Sequence, residues 1–326
     1  MTGGAGFIGS AIVEDLLERG CQVTVLDDLT SGYLDNLAAV RPHIEFVQGS
    51  ILDRPLLAEL TAGKDIVSHQ AAQLEILRAM DDPGEDLITN TLGTLNVLQA
   101  CVKNSVPRFI APSSAGVYGQ AQFTPQTEDH PLEPQWAYGV SKLATEHYAR
   151  QFMHDHGLQT TMLRYAIVYG PREWYGRVLT LFLRRALDGR APVVFGDGLQ
   201  VRDFVFVKDV VACHRACLLH PETIGQVYNV STGVGTTILD LAAAVVELAG
   251  MDGKPIFESV EEGQVSSLVP GRRRIPSELR TLVQSPQKIF CATGWKPKTS
   301  LREGLAQQWE WLASHPERYQ PDLMRV

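Results

Sequence analysis

Short apolar, β-branched runs alternate with helix-length stretches through the first half of the chain. Residues 22–26 (QVTVL), 44–47 (IEFV), 65–68 (DIVS), 108–111 (RFIA) and 160–165 (TTMLRY) read as strands. Between them, residues 10–19, 55–62, 86–104 and 138–156 carry helical spacing. Strands apolar on both faces, separated by helices, are the pattern of a parallel sheet covered on both sides. Right-handed crossovers then make a Rossmann-type, doubly wound α/β sheet the expected fold. After residue 170 the alternation blurs, with helical stretches at 178–188, 237–248 and 300–312. The expected organisation is a dinucleotide-binding domain over residues 1–170 and a smaller mixed α/β substrate-binding lobe over 171–326. Residues 203–232, with the strand-like 226–230 (QVYNV), are expected to return to the main sheet.

The sequence opens on the turn itself, MTGGAGFIGS. In a doubly wound sheet the strand feeding that turn is central, so the first strand reads as truncated and further apolar residues are expected upstream of Met1.

Composition narrows the class. Of 326 residues, 44% are hydrophobic and 20% charged, as in a globular domain and not a disordered chain. A net charge of −8 offers no basic field for nucleic acid, and no apolar run is long enough to span a membrane. Five scattered cysteines fit free thiols in a cytoplasmic protein.

Two constellations carry chemistry. Gly3, Gly6 and Gly9 form GxxGxxG at the start of a helix, with Phe7 and Ile8 in its first turn. Glycines there permit a tight turn and a close approach of backbone N–H groups to a pyrophosphate. Asp27, followed by Asp28, ends VTVLDD about 18 residues later, where a carboxylate binds ribose hydroxyls and repels an extra phosphate. The cofactor reading is a dinucleotide, NAD before NADP. Farther on, Tyr138 and Lys142 form YxxxK, phenol and ammonium on one helix face. The lysine is expected to draw the phenol's pKa down toward working pH. Ser114 ends a strand that points into the ligand crevice, which completes a Ser–Tyr–Lys trio for hydride-transfer chemistry.

These motifs, with GSILD, HQAAQ, TNTLGTLNVL, SSAGVYG, LRYAIVYGPR, FGDGLQVRDFVFVKDV and GWKPKTSLREGL, run over nearly the whole chain. Together they resemble the extended short-chain dehydrogenase/reductase family, specifically its NAD-dependent, UDP-glucose 4-epimerase-like nucleotide-sugar epimerases and dehydratases. The resemblance implies a retained NAD and reversible oxidation of a sugar C4. It implies that Ser50, Ile51, Ala71, Ala72, Asn90 and Tyr165 lie along the cofactor. Ser114 and Tyr138 would meet the sugar, Phe195 the nucleobase, and Arg202 the diphosphate, with Arg274 and Glu278 as the nearest matches to a second substrate motif. It also implies a homodimer built on two helices per subunit, one carrying YxxxK.

Departures from the family pattern shape the expectation. Ser50 stands where Asp is usual. Ala115 and Gly116 follow Ser114 where dehydratases and decarboxylases carry acids, which favours C4 epimerisation. Ile167 replaces an Asn that touches the sugar nucleotide. A dehydratase or reductase of the same family, or an NAD-binding sensor without catalysis, are the alternatives. The run Arg272–Arg273–Arg274 reads equally as a solvated loop or a diphosphate contact. Cys213, His214, Cys217 and His220 share a helix and are read as packing, not as a metal site; no metal is expected. His69 is read as structural.

Overall fold

The computed structural model describes residues 1–174 and 176–318. Its central strands are all parallel. Their order runs Gln226–Val230, Gln159–Tyr165, Arg108–Ser114 and Ile66–Ser68. Beyond them, Val23–Asp27 pairs with Ile44–Gln48. Thr2 joins the two sets, bridging Leu26 on one side and His69 on the other. The Thr2 N–H donates to the Ser68 carbonyl at 3.0 Å and the Gly3 N–H to that of Leu26 at 2.8 Å. The glycine turn therefore leaves from the middle of the sheet, the switch point where a doubly wound fold binds its ligand. The Met1 ammonium is buried against the Thr24 carbonyl at 2.9 Å, and desolvation lowers its pKa to about 6.

Alternation along the strands divides the core. Phe109, Ala111 and Met162 pack with Val97, Leu98 and Cys101 on one face. Ile110, Leu163 and Tyr165 pack with Val205, Val210 and Cys213 on the other. Period-two placement and burial on both faces are what parallel strands require. The strand Gln226–Val230 does return to the sheet beside Gln159–Tyr165.

The expected single helix over 86–104 is interrupted. A π-helical stretch, Leu87–Leu92, precedes the α-helix Gly93–Lys103. The wider turns aim Asn90 inward and leave Leu87, Ile88 and Leu92 exposed. After residue 170, Val178–Leu187, Ile238–Leu248 and Leu301–Ser314 pack around Phe182, Val194, Phe204 and Leu305. Small pairings escaped the sequence pattern: Val193–Phe195 with Ile256–Glu258, and Val201–Arg202 flanked by Thr236–Thr237 and Thr281–Leu282. At two or three residues each, they have no readable period.

Candidate active site

One cavity of about 900 Å³ lies over the ends of the central strands. Gly3, Gly6, Phe7, Ile8 and Gly9 form one end of it. Gly3 has a φ of +66°, and a β-carbon on Gly9 would lie 2.0 Å from the Gly3 carbonyl oxygen, so the turn closes only with glycine there. No side chain caps the helix Phe7–Glu18 at Gly6, which leaves its first N–H groups to the cavity. Both Asp27 oxygens accept backbone N–H groups, from Ala5 at 2.8 Å and Leu29 at 2.9 Å, while burial raises its pKa. Asp28 is exposed on the cavity rim, its Oδ1 accepting from the Thr30 N–H. Ser50, Ile51, Ala71, Ala72 and Tyr165 also line the cavity. Tyr165 is buried and its hydroxyl has no hydrogen-bond partner among the described residues.

Asn90, expected along the cofactor, is buried beside the cavity wall. Its amide exchanges two 2.9 Å hydrogen bonds with the Gln73 backbone and donates to Asp86 at 2.8 Å. It fixes the loop that follows Ala72.

Ser114, Tyr138 and Lys142 meet at the same cavity. A β-carbon on Gly139 would sit 2.6 Å from the Gly116 carbonyl oxygen, so glycine after Tyr138 lets the helix Ala137–His156 close on the serine loop. Ser114 is the hydrogen-bonding side chain beside the Tyr138 phenol. The Lys142 ammonium lies 5.8 Å from the Tyr138 ring centre. The expected lowering of the tyrosine pKa is not what the fold produces. Burial raises it, against the opposing pull of Arg177 and Ser114. Lys142 is itself desolvated, and its pKa falls to about 8 despite the nearby Asp86 charge. His69 is structural as read, hydrogen-bonded to Thr2 at 2.7 Å and Thr94 at 2.9 Å, and burial lowers its pKa to about 3.

A buried network holds the trio in place. Arg164 makes a two-pronged pair with Glu146 at 2.9 and 2.7 Å, and Ser113 donates to the same carboxylate at 2.5 Å. Arg164 also donates to the Tyr118 hydroxyl, which donates to Asn229 at 2.6 Å. The network ties the helix of Tyr138 to the strands ending at Ser114 and Tyr165.

At the far end the fold gathers Phe195, Arg202, Arg274 and Glu278 on the cavity wall. Glu278 faces both guanidinium groups, Arg274 at 3.1 Å and Arg202 at 3.6 Å, and accepts from Gln200 at 3.1 Å. Arg272 and Arg273 line the cavity too, so the arginine run is wall and not a solvated loop. Arg273 makes a bidentate pair with Asp81. Ile167, Ala115 and Gly116 also line the cavity. Cys213, His214 and Cys217 are buried on the helix Val207–Leu219, with His214 against the Ser68 hydroxyl at 3.0 Å.

Glu75, Arg177 and Trp136 are among the lining residues that sequence reasoning gave no role. Glu75 and Arg177 both act electrostatically on Tyr138. Trp136 donates from Nε1 to the Pro276 carbonyl at 2.9 Å, joining the start of the catalytic helix to the loop that holds Arg274. A charged residue three positions after the HQAA stretch was the available signal for Glu75. Arg177 was hidden in an irregular loop; its neighbour Tyr175 lies outside the described residues.

Residues 1–231 match the model of the NAD dependent epimerase/dehydratase family. The chain belongs to that family. A putative UDP-glucose 4-epimerase of Methanocaldococcus jannaschii is 33% identical over 320 residues, covering 97% of this chain and 98% of that protein. The structure of a UDP-glucose 4-epimerase from Thermotoga maritima, with UDP-glucose, matches with a TM-score of 0.88 at 34% identity, covering 97% and 98%. A dTDP-glucose 4,6-dehydratase from Streptomyces venezuelae, solved with NAD, matches with a TM-score of 0.89 at 30% identity, covering 98% of each chain. The cofactor of this epimerase/dehydratase family member is NAD. The glycine turn, the uncapped helix start and the Asp27–Asp28 rim fit that dinucleotide.

Proposed function

We propose that this enzyme epimerises C4 of a nucleotide-activated hexose, a UDP-sugar in the first instance, through a transient 4-keto sugar. Gly3, Gly6, Gly9, Asp27 and the wall from Ser50 to Ala72 would hold NAD, with residues 1–170 as its domain and 171–326 supplying the substrate side. When bound, NAD would supply a hydride acceptor that gives back what it takes. Ser114 hydrogen-bonds the C4 oxygen, and Tyr138 takes its proton and later returns it. The Arg177 charge and the Ser114 hydrogen bond favour the phenolate that burial opposes. Arg202 and Arg274 pair with the diphosphate, taking over positions now neutralised by Glu278. Phe195 packs on the base.

The observation that carries the reading is the neighbourhood of Ser114. Ala115 and Gly116 line the cavity directly after it, and neither can move a proton. Eliminating water across C5 and C6 needs such a group; inverting C4 needs only Tyr138. A homodimer is part of the proposal. Leu87, Ile88, Leu92 and Val140 are exposed at 45–56% on the two helices that would pair. A cytoplasmic home fits five free thiols, and no described helix is long and apolar enough to cross a membrane.

Proton NMR of the protein with UDP-, dTDP- and GDP-sugars tests the reading, with Tyr138→Phe as control. A C4 epimer formed without net change in NAD, and absent in the variant, is expected. A 4-keto-6-deoxy product would establish dehydration instead. No conversion of any sugar would leave an NAD-binding sensor.

A further inference from the structure

Glu75 stands apart from the other charged groups of the cavity because the fold holds its backbone firmly and gives its carboxylate no hydrogen-bond donor among the described residues. The backbone is clamped from behind. Gln73 accepts from the Glu75 N–H and donates to the Glu75 carbonyl at 3.0 Å. Gln73 is itself fixed by Asn90, and Asn90 by Asp86, which accepts from Ser141 on the helix of Tyr138 and Lys142. Glu75 is thus in register with the catalytic helix.

Glu75 lines the cavity, half-buried, and its carboxylate accepts no hydrogen bond among the described residues. Burial raises its pKa against the pull of Arg177, Arg272 and Arg78. Those cations have other partners. Arg78 pairs with Glu85, its Nε at 2.7 Å, and Arg177 donates to the Val168 carbonyl at 3.3 Å. Partial withdrawal from water with no protein donor in its place costs a carboxylate free energy, which the nearby arginine charges offset only in part. A ligand with hydroxyl donors repays it. Across the same cavity Ile167 offers no polar atom, so a hydrogen bond to the sugar from that position is missing.

We propose that Glu75 is a specificity-determining residue whose carboxylate accepts hydrogen bonds from the hydroxyl groups of the substrate's sugar ring and so sets the ring against Tyr138. This rests on the nucleotide-sugar reading above. A carboxylate is an acceptor only, so it selects a ring that presents donors at this point.

The test separates sugar from nucleotide. The NAD-bound protein and its Glu75→Ala and Glu75→Gln variants are titrated calorimetrically with UDP, UDP-glucose, UDP-N-acetylglucosamine, dTDP and dTDP-glucose. Thermal melts accompany the titrations, and Glu75→Gln keeps the shape should the alanine variant unfold. A Tyr138→Phe background prevents turnover during the titration. For a hydrogen bond to a charged acceptor, Glu75→Ala weakens a sugar nucleotide roughly ten- to hundredfold, while UDP and dTDP bind within twofold of the parent. Glu75→Gln falls between.

Equal loss for nucleotide and sugar nucleotide, or no loss for either, overturns the proposal, and an epimer seen by NMR would still uphold the function. A sugar-confined loss in a protein that converts no sugar upholds Glu75 and sinks the epimerase reading. Failure to bind any of the five ligands overturns both.

Discussion

Replacing Glu146 by alanine tests the network that positions Ser114, Tyr138 and Lys142. The Arg164 and Glu146 side chains are only 4% and 6% exposed, and their bidentate pair is reinforced by Ser113 and Tyr118. Removing the carboxylate leaves a guanidinium buried without its counter-charge, which costs about 3–5 kcal/mol. Unfolding entropy near 2.1 cal/mol/K per residue gives about 0.7 kcal/mol/K for 326 residues. A loss of about 4 kcal/mol therefore lowers Tm by roughly 6 °C. The effect should reach function as well, because Ser113 precedes Ser114, Arg164 precedes Tyr165, and Glu146 lies one turn beyond Lys142. Differential scanning calorimetry reads the first effect and single-turnover kinetics the second. Glu146→Met combined with Arg164→Met should recover most of the stability, since an apolar pair of similar volume leaves no orphan charge. A Tm change under about 2 °C for Glu146→Ala, or a double variant no more stable than the single one, would refute the reasoning.

Lys142→Met should abolish turnover yet raise Tm by about 4 °C at pH 7, because a lysine whose pKa falls from 10.5 to about 8 carries a buried-charge cost of about 3 kcal/mol below pH 8. That cost fades as pH rises through 8 toward 10.5, so a gain that persists undiminished at pH 10.5 would contradict it. Burial lowers the His214 pKa from 6.5 to about 4, so the unfolded chain takes up the proton first and stability drains away as pH falls through that window. Urea titrations from pH 7 to 4.5 should show His214→Gln losing about 1.4 kcal/mol less per pH unit than the parent; identical slopes would speak against it. Ile88→Lys with Val140→Lys should convert a dimer to a monomer in light scattering while leaving the melt nearly unchanged; a parent that is already monomeric removes the proposed interface.

The architecture of the first half was legible because both of its periods are local. Apolar runs of four to six residues set the strands, GxxGxxG set the turn, and YxxxK placed phenol and ammonium on one face without any tertiary information. The glycine spacing signalled a tight turn, and the structure gives its reason, since a β-carbon on Gly9 would meet the Gly3 carbonyl. Tertiary structure decided what depends on neighbours distant in sequence. Tyr138 and Lys142 looked like a pair that lowers the phenol's pKa, but desolvation is the largest influence on each. Asn90 sits on a π-helical turn that directs it onto Gln73, a contact no local period announces. The arginine run was ambiguous until the chain folded back and set Arg272, Arg273 and Arg274 beside Arg202, some 70 positions away. Glu75, Trp136 and Arg177 carry no motif; only the shape of the cavity gives them a place. The sequence by itself determined the fold class, the glycine turn and the pairing of Tyr138 with Lys142 on one helix, because steric and periodic constraints act over a few residues. Burial, charge balance and the sugar's surroundings are sums over the whole molecule, and only the folded chain adds them up.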